Sequence, residues 1–424
     1  MSTDGPVLEV RDLSTWFDTP RGTVRAVDGV SLTLDRGRTL GIVGESGCGK
    51  TVLARSIMNL LPKRAAVPAG GEVLLEGRPI RGLGIKEMRK LWGVEVAMVF
   101  QDPMTSLNPV VKIGQQLTEG LHEHFDMKGR QARAMAVELL RSVGLPAPER
   151  RLDEYPHQLS GGMRQRVTVA IALSCGPRLL IADEPTTALD VTVQRQILDL
   201  LEDQQRQRHM AMILVTHDLG VVANRTDEIA VMYAGQVVER APTTTLFQHM
   251  RHPYTEALLG SIPRLEYPSH TPLQTIPGRP PDLAAPPAGC RFAPRCRYAQ
   301  DRCLTEEPPL LPVDDPVEFA RLRGTGADPA VAGGHVHRCF FPVGTDAGRE
   351  ALARNVAEGR TAAGMPLTAE GVVDLLATLD TGAAEPVPTA DTDAATDADD
   401  EGEFDAAGDP AGDAPPVSDE QAVR

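Results

Sequence analysis

A glycine-rich octet near the start of the chain constrains the fold more than any other feature. It follows an apolar stretch, residues 39–43, and precedes a segment of helical character that runs to about Leu61. Glycines at such a junction let backbone N–H groups converge on phosphate oxygens, and the helix start adds a favourable dipole. The order predicts an α/β fold that binds the phosphates of a nucleotide. The residues of this phosphate loop are Gly44, Glu45, Ser46, Gly47, Cys48, Gly49, Lys50 and Thr51.

The apolar pattern around the phosphate loop predicts a mostly parallel central sheet. Residues 39–43, 179–183 and 212–216 are continuous apolar runs, as expected of strands buried on both faces. They alternate with helix-like segments, which is typical of parallel α/β folds. We assign residues 1–250 to this α/β core and about 102–175 within it to an inserted helical subdomain.

The composition of the sequence changes after residue 250. Residues 251–345 are punctuated by prolines and contain four cysteines, which predicts a small loop-rich domain. Residues 346–380 are an extension to which the sequence assigns no structure. Residues 381–424 hold 13 acidic residues and one arginine, with Phe404 as their only aromatic residue. Such a segment cannot bury enough apolar area to offset its chain entropy, so we predict a disordered acidic tail.

The distribution of charge excludes one class of function. The formal net charge is −15, but the acidic tail accounts for −12 of it, so residues 1–380 are near neutral. A nucleic-acid-binding protein usually presents a basic face, and none is evident, so we expect no nucleic-acid partner. The sequence also shows neither a signal peptide nor a run of roughly 18 apolar residues that could span a membrane. We expect a cytosolic chain whose membrane role depends on partners.

Four residues are candidates for holding and cleaving a nucleotide triphosphate. Lys50 is placed to neutralise the β- and γ-phosphates, and the hydroxyl of Thr51 is a ligand for Mg²⁺. Asp183 and Glu184 end an apolar strand, where side chains reach the ligand crevice of an open α/β sheet. We expect Asp183 to hold the water shell of the magnesium ion and Glu184 to polarise the attacking water.

Two further polar residues follow buried strands. Gln101 is a neutral ligand suited to magnesium or to the attacking water, although an ordinary loop glutamine is the alternative. His217 follows the strand at residues 212–216, and a single histidine at a strand end is more often structural than catalytic. Its order after the two phosphate motifs favours a contact with the γ-phosphate.

The order of these motifs resembles the ATP-binding cassette (ABC) family over residues 7–265. The resemblance implies that two cassettes meet head to tail, with each ATP between the phosphate loop of one and the signature segment of the other. The family motifs are the phosphate loop, Gln101, the signature segment Leu159-Ser160-Gly161-Gly162, Asp183-Glu184, Ala188-Leu189-Asp190 and His217.

The resemblance also suggests roles for residues outside the phosphate loop. Residues 160–162 open a helix, whose free N–H groups and positive dipole end suit the γ-phosphate bound by a partner cassette. The alternative is a helix capped by Ser160, with the glycines giving flexibility. Asp190 is expected to bridge the two cassettes. Phe17 is expected to stack under adenine, with Trp16 adjacent and plain core packing as the alternative.

Three segments resemble a narrower branch, the oligopeptide/dipeptide (and nickel) importers: residues 100–109, 252–255 and 290–296. This resemblance implies a second, paralogous ATPase subunit, two transmembrane permeases and an extracytoplasmic substrate-binding protein. It places the chain at the cytoplasmic face of the membrane, with the stretch after Gln101 touching a permease. The alternatives are an ATPase of a nickel or other small-solute importer, a soluble ABC ATPase outside transport, and a regulatory protein.

Four cysteines within about fifty residues suggest one thiolate site in a reducing compartment. Thiolate ligation suits either zinc or a [4Fe–4S] cluster, and the spacing is not that of a zinc ribbon. The importer resemblance favours the iron–sulfur cluster, with zinc and free thiols as alternatives. His335 and His337 are expected to lie near the site or at the surface. The cysteines are Cys290, Cys296, Cys303 and Cys339.

Overall fold

Two β-sheets form the framework of the computed structural model, which describes residues 5–62, 66–187, 189–262, 275–313 and 334–367. One is a four-stranded sheet in the order β2-β1-β4-β5, and the other has eight strands in the order β11-β12-β10-β9-β3-β8-β7-β6. The described strands are β1 (Leu8–Thr19), β2 (Gly22–Leu34), β3 (Thr39–Val43), β4 (Ala66–Leu75), β5 (Arg78–Pro79), β6 (Val96–Val99), β7 (Leu179–Asp183), β8 (Ala211–Thr216), β9 (Glu228–Tyr233), β10 (Gln236–Pro242), β11 (Leu311–Pro312) and β12 (Val336–His337).

Helices connect and cover these strands. They include two short 3-10 helices, at Pro156–Gln158 and Ala293–Arg295. The described α-helices are α1 (Lys50–Ile57), α2 (Ile85–Met88), α3 (Pro103–Ser106), α4 (Ile113–Phe125), α5 (Gly129–Ser142), α6 (Pro148–Arg151), α7 (Gly161–Leu173), α8 (Val191–Arg208), α9 (Leu219–Val222), α10 (Thr243–His249), α11 (Pro253–Gly260), α12 (Asp301–Thr305) and α13 (Asp346–Glu358).

The parallel part of the large sheet confirms the predicted α/β core. Strands β9, β3, β8, β7 and β6 run parallel, and β3, β7 and β8 are buried along their whole length, as continuous apolar runs require. In the register, Val43 lies opposite Thr216, and Asp183 lies opposite Val215. The residues that follow these strands therefore meet at one edge of the sheet, where ligands bind in open α/β folds.

The four-stranded sheet is antiparallel and was not anticipated by the sequence analysis. It pairs β1 with β2 on one side and with β4 on the other. Its buried residues, such as Leu8 and Val30, join one apolar cluster with Leu53 and Ile57 of α1 and with Ile42 of β3. This packing fixes α1, and with it the phosphate loop, between the two sheets.

Between β6 and β7 the described chain is helical, as predicted. It contains α3 to α7, of which α4 extends to Phe125 and α7 begins at Gly161. The predicted limits of this subdomain and of the other domains stay predictions.

The part of the chain after β10 is joined to the large sheet. Strand β12 pairs antiparallel with β10, placing Val336 opposite Arg240, and β11 pairs with β12. The extension after residue 345 contributes α13. The predicted acidic tail lies outside the described residues. Across the described parts of the chain, none of the helices has the length and apolar character needed to span a membrane.

Candidate nucleotide site

The backbone of the phosphate loop requires glycine at two positions, Gly44 and Gly49. Gly44 and Gly49 have φ angles of 154° and 108°, in the range that favours glycine. A β-carbon at Gly44 would lie 2.1 Å from the carbonyl oxygen of Met232, and one at Gly49 would lie 2.1 Å from that of Ala26. These residues of the loop thus lie between β2 and the end of β9, and α1 begins at Lys50, directly after Gly49.

Lys50 is enclosed by its own loop. Its side chain is 4% exposed, and Nζ donates to the carbonyl oxygens of Gly44, at 2.7 Å, and Glu45, at 3.1 Å. The same Nζ lies 3.9 Å from Oε1 of Glu184. The structure thus brings the predicted phosphate ligand within reach of the predicted general base.

Asp183 and Thr51 form the part of the site that suits a magnesium ion. Thr51 Oγ1 donates to Asp183 Oδ1 at 3.1 Å. The other carboxylate oxygen, Oδ2, is buried and has no hydrogen-bond partner among the described residues. Burial raises the pKa of Asp183, while the bond from Thr51 lowers it. A buried carboxylate oxygen without a donor fits a cation, so these two residues are suitable magnesium ligands.

Glu184 is held at the centre of the site by its neighbours. Gln101 Nε2 donates to Glu184 Oε2 at 2.8 Å, and Thr187 Oγ1 lies 3.2 Å from the same oxygen. His217 Nδ1 lies 3.5 Å from Glu184 Oε1. The φ angle of Glu184 is 45°, in the left-handed region where a residue other than glycine is strained, as is common at functional sites. The sequence analysis missed Thr187, three residues after Glu184.

The signature segment lies at the exposed start of α7. Ser160 caps this helix by accepting from the backbone N–H of Met163 at 3.4 Å, and both Ser160 and Gly161 are exposed. Its first N–H groups therefore face solvent. Asp190 likewise caps α8, accepting from Val193 N at 2.9 Å. Ala188, in the motif before Asp190, lies outside the described residues.

The predicted adenine platform lies on β1. Phe17 is half-buried and lies opposite Val24 of β2 and Ala66 of β4. The neighbouring Trp16 is covered by the guanidinium of Arg25, 5.1 Å from the ring centre. Stacking of adenine on Phe17 stays a prediction.

Two residues of the C-terminal half of the chain, Tyr254 and Arg295, form hydrogen bonds with the phosphate loop, and the sequence analysis assigned neither to the site. Tyr254 OH accepts from the backbone N–H of Glu45 at 2.8 Å. Arg295 donates to both carboxylate oxygens of Glu45, at 2.6 and 2.9 Å. Both lie in segments, residues 252–255 and 290–296, that were singled out only as marks of resemblance.

The four cysteines after residue 250 line one pocket, together with Phe292 and Tyr298. Burial raises the pKa of Cys290 to about 11 and the pKa values of Cys296 and Cys339 well above 9. Within the described ranges, however, no group of three or more His, Cys, Asp or Glu residues has a geometry that could hold a metal ion. The predicted iron–sulfur or zinc site therefore gains no support from the structure.

The two nearby histidines belong to a buried cluster and are not surface residues. His335 Nε2 lies 2.7 Å from Oε1 of Glu239, which is fully buried, and the side chain of His335 is 10% exposed. His337 is 6% exposed. The carboxylate of Glu239 also accepts from the backbone N–H of His252 at 2.9 Å. Hydrogen bonding to a buried acid thus accounts for the position of His335.

Comparison with protein families matches two parts of the chain. Residues 27–187 match the family described as ABC transporter, and residues 238–303 match the one described as oligopeptide/dipeptide transporter, C-terminal region. The first span contains the phosphate loop and the signature segment. The second contains Tyr254 and Arg295.

Curated relatives and solved structures resemble the chain over long spans. The oligopeptide transport ATP-binding protein OppD of Bacillus subtilis is 52% identical over 73% of this chain and 86% of its own length. The dipeptide transport ATP-binding protein DppD of that organism is 51% identical over 68% of this chain and 86% of its own length. A dimeric structure of MJ0796, a bacterial ABC transporter cassette, is 28% identical, with a TM-score of 0.51 over 56% of this chain and 98% of its own. A second dimeric structure of that cassette, in a post-hydrolysis state and bound to ADP and Pi, is 27% identical, with the same TM-score and the same coverage.

Proposed function

This chain belongs to the ABC transporter family of ATPases, and from that premise we propose that it is the ATP-hydrolysing subunit of an importer for di- and oligopeptides. Relatives that are about half identical carry oligopeptide or dipeptide transport in their names. The match of residues 238–303 to the peptide transporter C-terminal region supports the same substrate class. An importer of nickel or another small solute is the alternative that uptake assays distinguish.

The observation that carries the proposal is the arrangement around Glu184. Its carboxylate is fixed by Gln101 and Thr187 and lies between Lys50 and His217. A carboxylate so held can accept a proton from an attacking water, while Lys50 exchanges its backbone carbonyls for phosphate oxygens. His217, whose Nδ1 lies 3.5 Å from Glu184 Oε1, is the residue that would contact the γ-phosphate. Thr51 and Asp183, with Gln101, would hold a magnesium ion, which would supply charge neutralisation.

We further propose that the active form is a pair of cassettes. The exposed start of α7 offers free N–H groups that its own phosphate loop does not use, and a partner's γ-phosphate suits them. The two structures of MJ0796 that resemble this chain are dimeric. In the pair, residues 160–162 of one cassette face the phosphate loop of the other, and Asp190 bridges the two.

The remaining partners follow from the importer assignment. We propose a paralogous second ATPase subunit, two transmembrane permeases and an extracytoplasmic substrate-binding protein, with this chain at the cytoplasmic face of the membrane. Met104 and Val110, after Gln101, are 62% and 79% exposed and offer apolar contacts for a permease. Affinity purification from membranes, followed by mass spectrometry, tests this set, and recovery of the chain without permeases contradicts it.

For the cysteines we propose a [4Fe–4S] cluster, with zinc as the alternative. The four thiols line one pocket and are a donor set of the kind that suits either group, but the described residues do not place three of them as ligands of one metal ion. Iron and acid-labile sulfide measured on anaerobically purified chain test this proposal. One cluster per chain supports it, and zinc without sulfide replaces it with the alternative.

The variant Glu184→Gln tests the hydrolytic role. Removal of the base should lower ATP turnover by about 100-fold or more, whereas the phosphate contacts of Lys50 persist. We expect a nucleotide-loaded dimer to accumulate, measured by sedimentation velocity with ATP. The matched control is Glu138→Gln, at an exposed glutamate of α5, which should turn over ATP normally. Normal turnover in Glu184→Gln contradicts the assignment of the base.

A further inference from the structure

A bidentate ion pair joins the cysteine-containing segment to the phosphate loop. Arg295 Nη1 and Nη2 donate to Glu45 Oε2 and Oε1 at 2.6 and 2.9 Å, and the Arg295 side chain is only 4% exposed. Paired, parallel N–H···O bonds of this kind fix both orientation and distance. Glu45 is the second residue of the phosphate loop, so the pair acts on the backbone that would receive phosphate.

The other donors of Arg295 anchor it from behind. Nε donates to the carbonyl oxygen of Pro277 at 2.8 Å, and Nη1 lies 3.3 Å from Tyr233 OH. The guanidinium also lies over the ring of Tyr233, 5.8 Å from its centre. Because the planar guanidinium of Arg295 is hydrogen-bonded on both sides, it cannot rotate away from Glu45. The single ammonium group of a lysine could not form the same set of bonds.

The backbone of Glu45 is held as well as its side chain. Its N–H donates to Tyr254 OH at 2.8 Å, and Tyr254 is fully buried. The Tyr254 ring packs against Tyr233 and Phe292, with centres 4.6 and 5.4 Å apart. This aromatic cluster also lies beside Arg295, so one rigid unit determines where the start of the loop sits.

A second arginine of the same segment braces the far end of the loop. Arg291 Nη1 donates to the carbonyl oxygen of Ala234 at 2.6 Å, and its guanidinium also pairs with Asp28. The next residue, Gly235, donates its N–H to the carbonyl oxygen of Cys48 at 2.8 Å. Both ends of the loop are thus supported by residues 290–296, whose first and last residues are cysteines.

We propose that Arg295 is a positioning residue for ATP binding, which fixes the phosphate loop through Glu45 and makes nucleotide affinity depend on the cysteine-containing segment. Arg295 does not touch the nucleotide in this scheme. It keeps the N–H groups of the loop converged on the phosphate position, an arrangement that loses affinity when it loosens. The inference rests on the proposed ATPase function.

The test compares Arg295→Gln with Arg297→Gln in the full-length chain. Arg297 lies two residues away and forms an ion pair with the buried Glu256 at 2.5 Å, so its loss perturbs the same segment without touching the phosphate loop. We expect Arg295→Gln to raise the Kd for an ATP analogue by about tenfold and Arg297→Gln by about twofold or less. Arg295→Lys, which keeps the charge but not the fork, should fall between Arg295→Gln and wild type.

A double-mutant cycle with Glu45→Gln separates positioning from general destabilisation. If Arg295 acts through Glu45, combining Arg295→Gln with Glu45→Gln should raise the Kd no further than the stronger single change does. Independent, additive losses overturn the role, as does an unchanged Kd in Arg295→Gln. If Arg295→Gln does not fold, Glu45→Gln removes the same ion pair from its other partner, and an unchanged Kd in that variant overturns the role. A wild-type chain that binds no ATP analogue overturns instead the proposed function itself.

Discussion

Two helix starts in this molecule carry the same chemistry in opposite settings. The start of α1 follows the phosphate loop and is enclosed, with Lys50 buried and bonded to the carbonyls of Gly44 and Glu45. The start of α7 is exposed, and Ser160 caps it through a single bond of 3.4 Å. Both present free N–H groups and a positive dipole end to an anion.

The difference shows how one chain can hold two halves of separate sites. The enclosed start of α1 has a cation, a magnesium-type carboxylate and a base within reach, so it can bind a triphosphate alone. The first turn of α7, as described by the structure, contains no acidic residue to serve as a magnesium ligand or a base, so it is suited to adding contacts to a phosphate held elsewhere.

Loss of the buried cation should have the largest effect. Lys50→Ala leaves the enclosed helix start without its charge, which should weaken ATP binding by about 100-fold, or about 3 kcal/mol. Equilibrium binding of a fluorescent ATP analogue measures it. The control Lys86→Ala, at an exposed position of α2, should bind normally. A Kd that changes by less than about twofold in Lys50→Ala would show that the enclosed start of α1 does not depend on Lys50 to bind the triphosphate.

Blocking the exposed helix start should affect assembly and spare nucleotide binding by one chain. In a Glu184→Gln background, Ser160→Phe should weaken ATP-driven pairing of cassettes by about tenfold or more, because the ring covers the N–H groups offered to the partner. Sedimentation velocity with ATP, for this chain alone and with its co-purified partner, measures it. Lys128→Phe, at the start of α5, is the control. Pairing that survives Ser160→Phe would show that α7 does not face the partner's ATP.

The contrast also separates what the sequence reveals of the fold from what it hides. Strands β3, β7 and β8 are predictable because both faces are buried, which leaves an uninterrupted apolar run. Strand β1 is not, because its buried positions change phase. Val10, which precedes Asp12 in the chain, and Leu13, which follows it, are both buried although they are three residues apart. Asp12 between them has a φ of 47°, and the pairing register with β2 shifts there. Such a bulge breaks the alternation that identifies a strand.

The residues of the candidate site also divide into those that the sequence predicts and those that it does not. Lys50, Asp183 and Glu184 are predictable because each follows a strand or a loop whose local pattern fixes its place. The contacts of Tyr254 and Arg295 with Glu45 join residues 209 and 250 positions apart, and no local pattern determines such a pair. Tertiary packing alone brings them together.

The enclosed site should lower the stability of the chain when no nucleotide or magnesium ion is bound. Burial raises the folded-state pKa of Asp183. At pH values above this folded-state pKa, burying the charged carboxylate therefore lowers the free energy of unfolding by its full amount. At pH values below the unfolded-state pKa, the carboxyl is neutral in both states and has no such effect. Asp183→Asn should therefore stabilise the nucleotide-free chain at pH 7 by about 1 kcal/mol, with the gain shrinking as the pH falls toward the ordinary value of 3.8. Denaturant unfolding at several pH values measures the change.

The same variant should lose the stabilisation that magnesium and ATP give, because a carboxamide is a poor ligand for the ion. Asp126→Asn, at an 84% exposed carboxylate, is the control and should change neither quantity. An Asp183→Asn chain that is less stable at pH 7 would contradict the predicted burial cost, and one that still gains stability from magnesium with ATP would contradict the magnesium role of Asp183.

The smallest effect should come from the two glycines of the exposed helix start. A β-carbon at Gly162 would lie 2.8 Å from Cγ1 of Val193 in α8, whereas one at Gly161 would lie 3.7 Å from Cδ2 of Leu189. Valine is stiff about χ1 and cannot readily turn away. Gly162→Ala should therefore cost about 1 kcal/mol of unfolding free energy, and Gly161→Ala should be nearly neutral.

Replacing Val193 by alanine in the Gly162→Ala chain should recover most of that loss, because it removes the clashing methyl group. Denaturant unfolding of the single and double variants measures it. A recovered chain assigns Gly162 to the packing of α7 on α8, which leaves Gly161 and Ser160 as the residues free to meet a partner's phosphate. Failure of Val193→Ala to restore stability would mean that Gly162 is needed for its backbone and not for space.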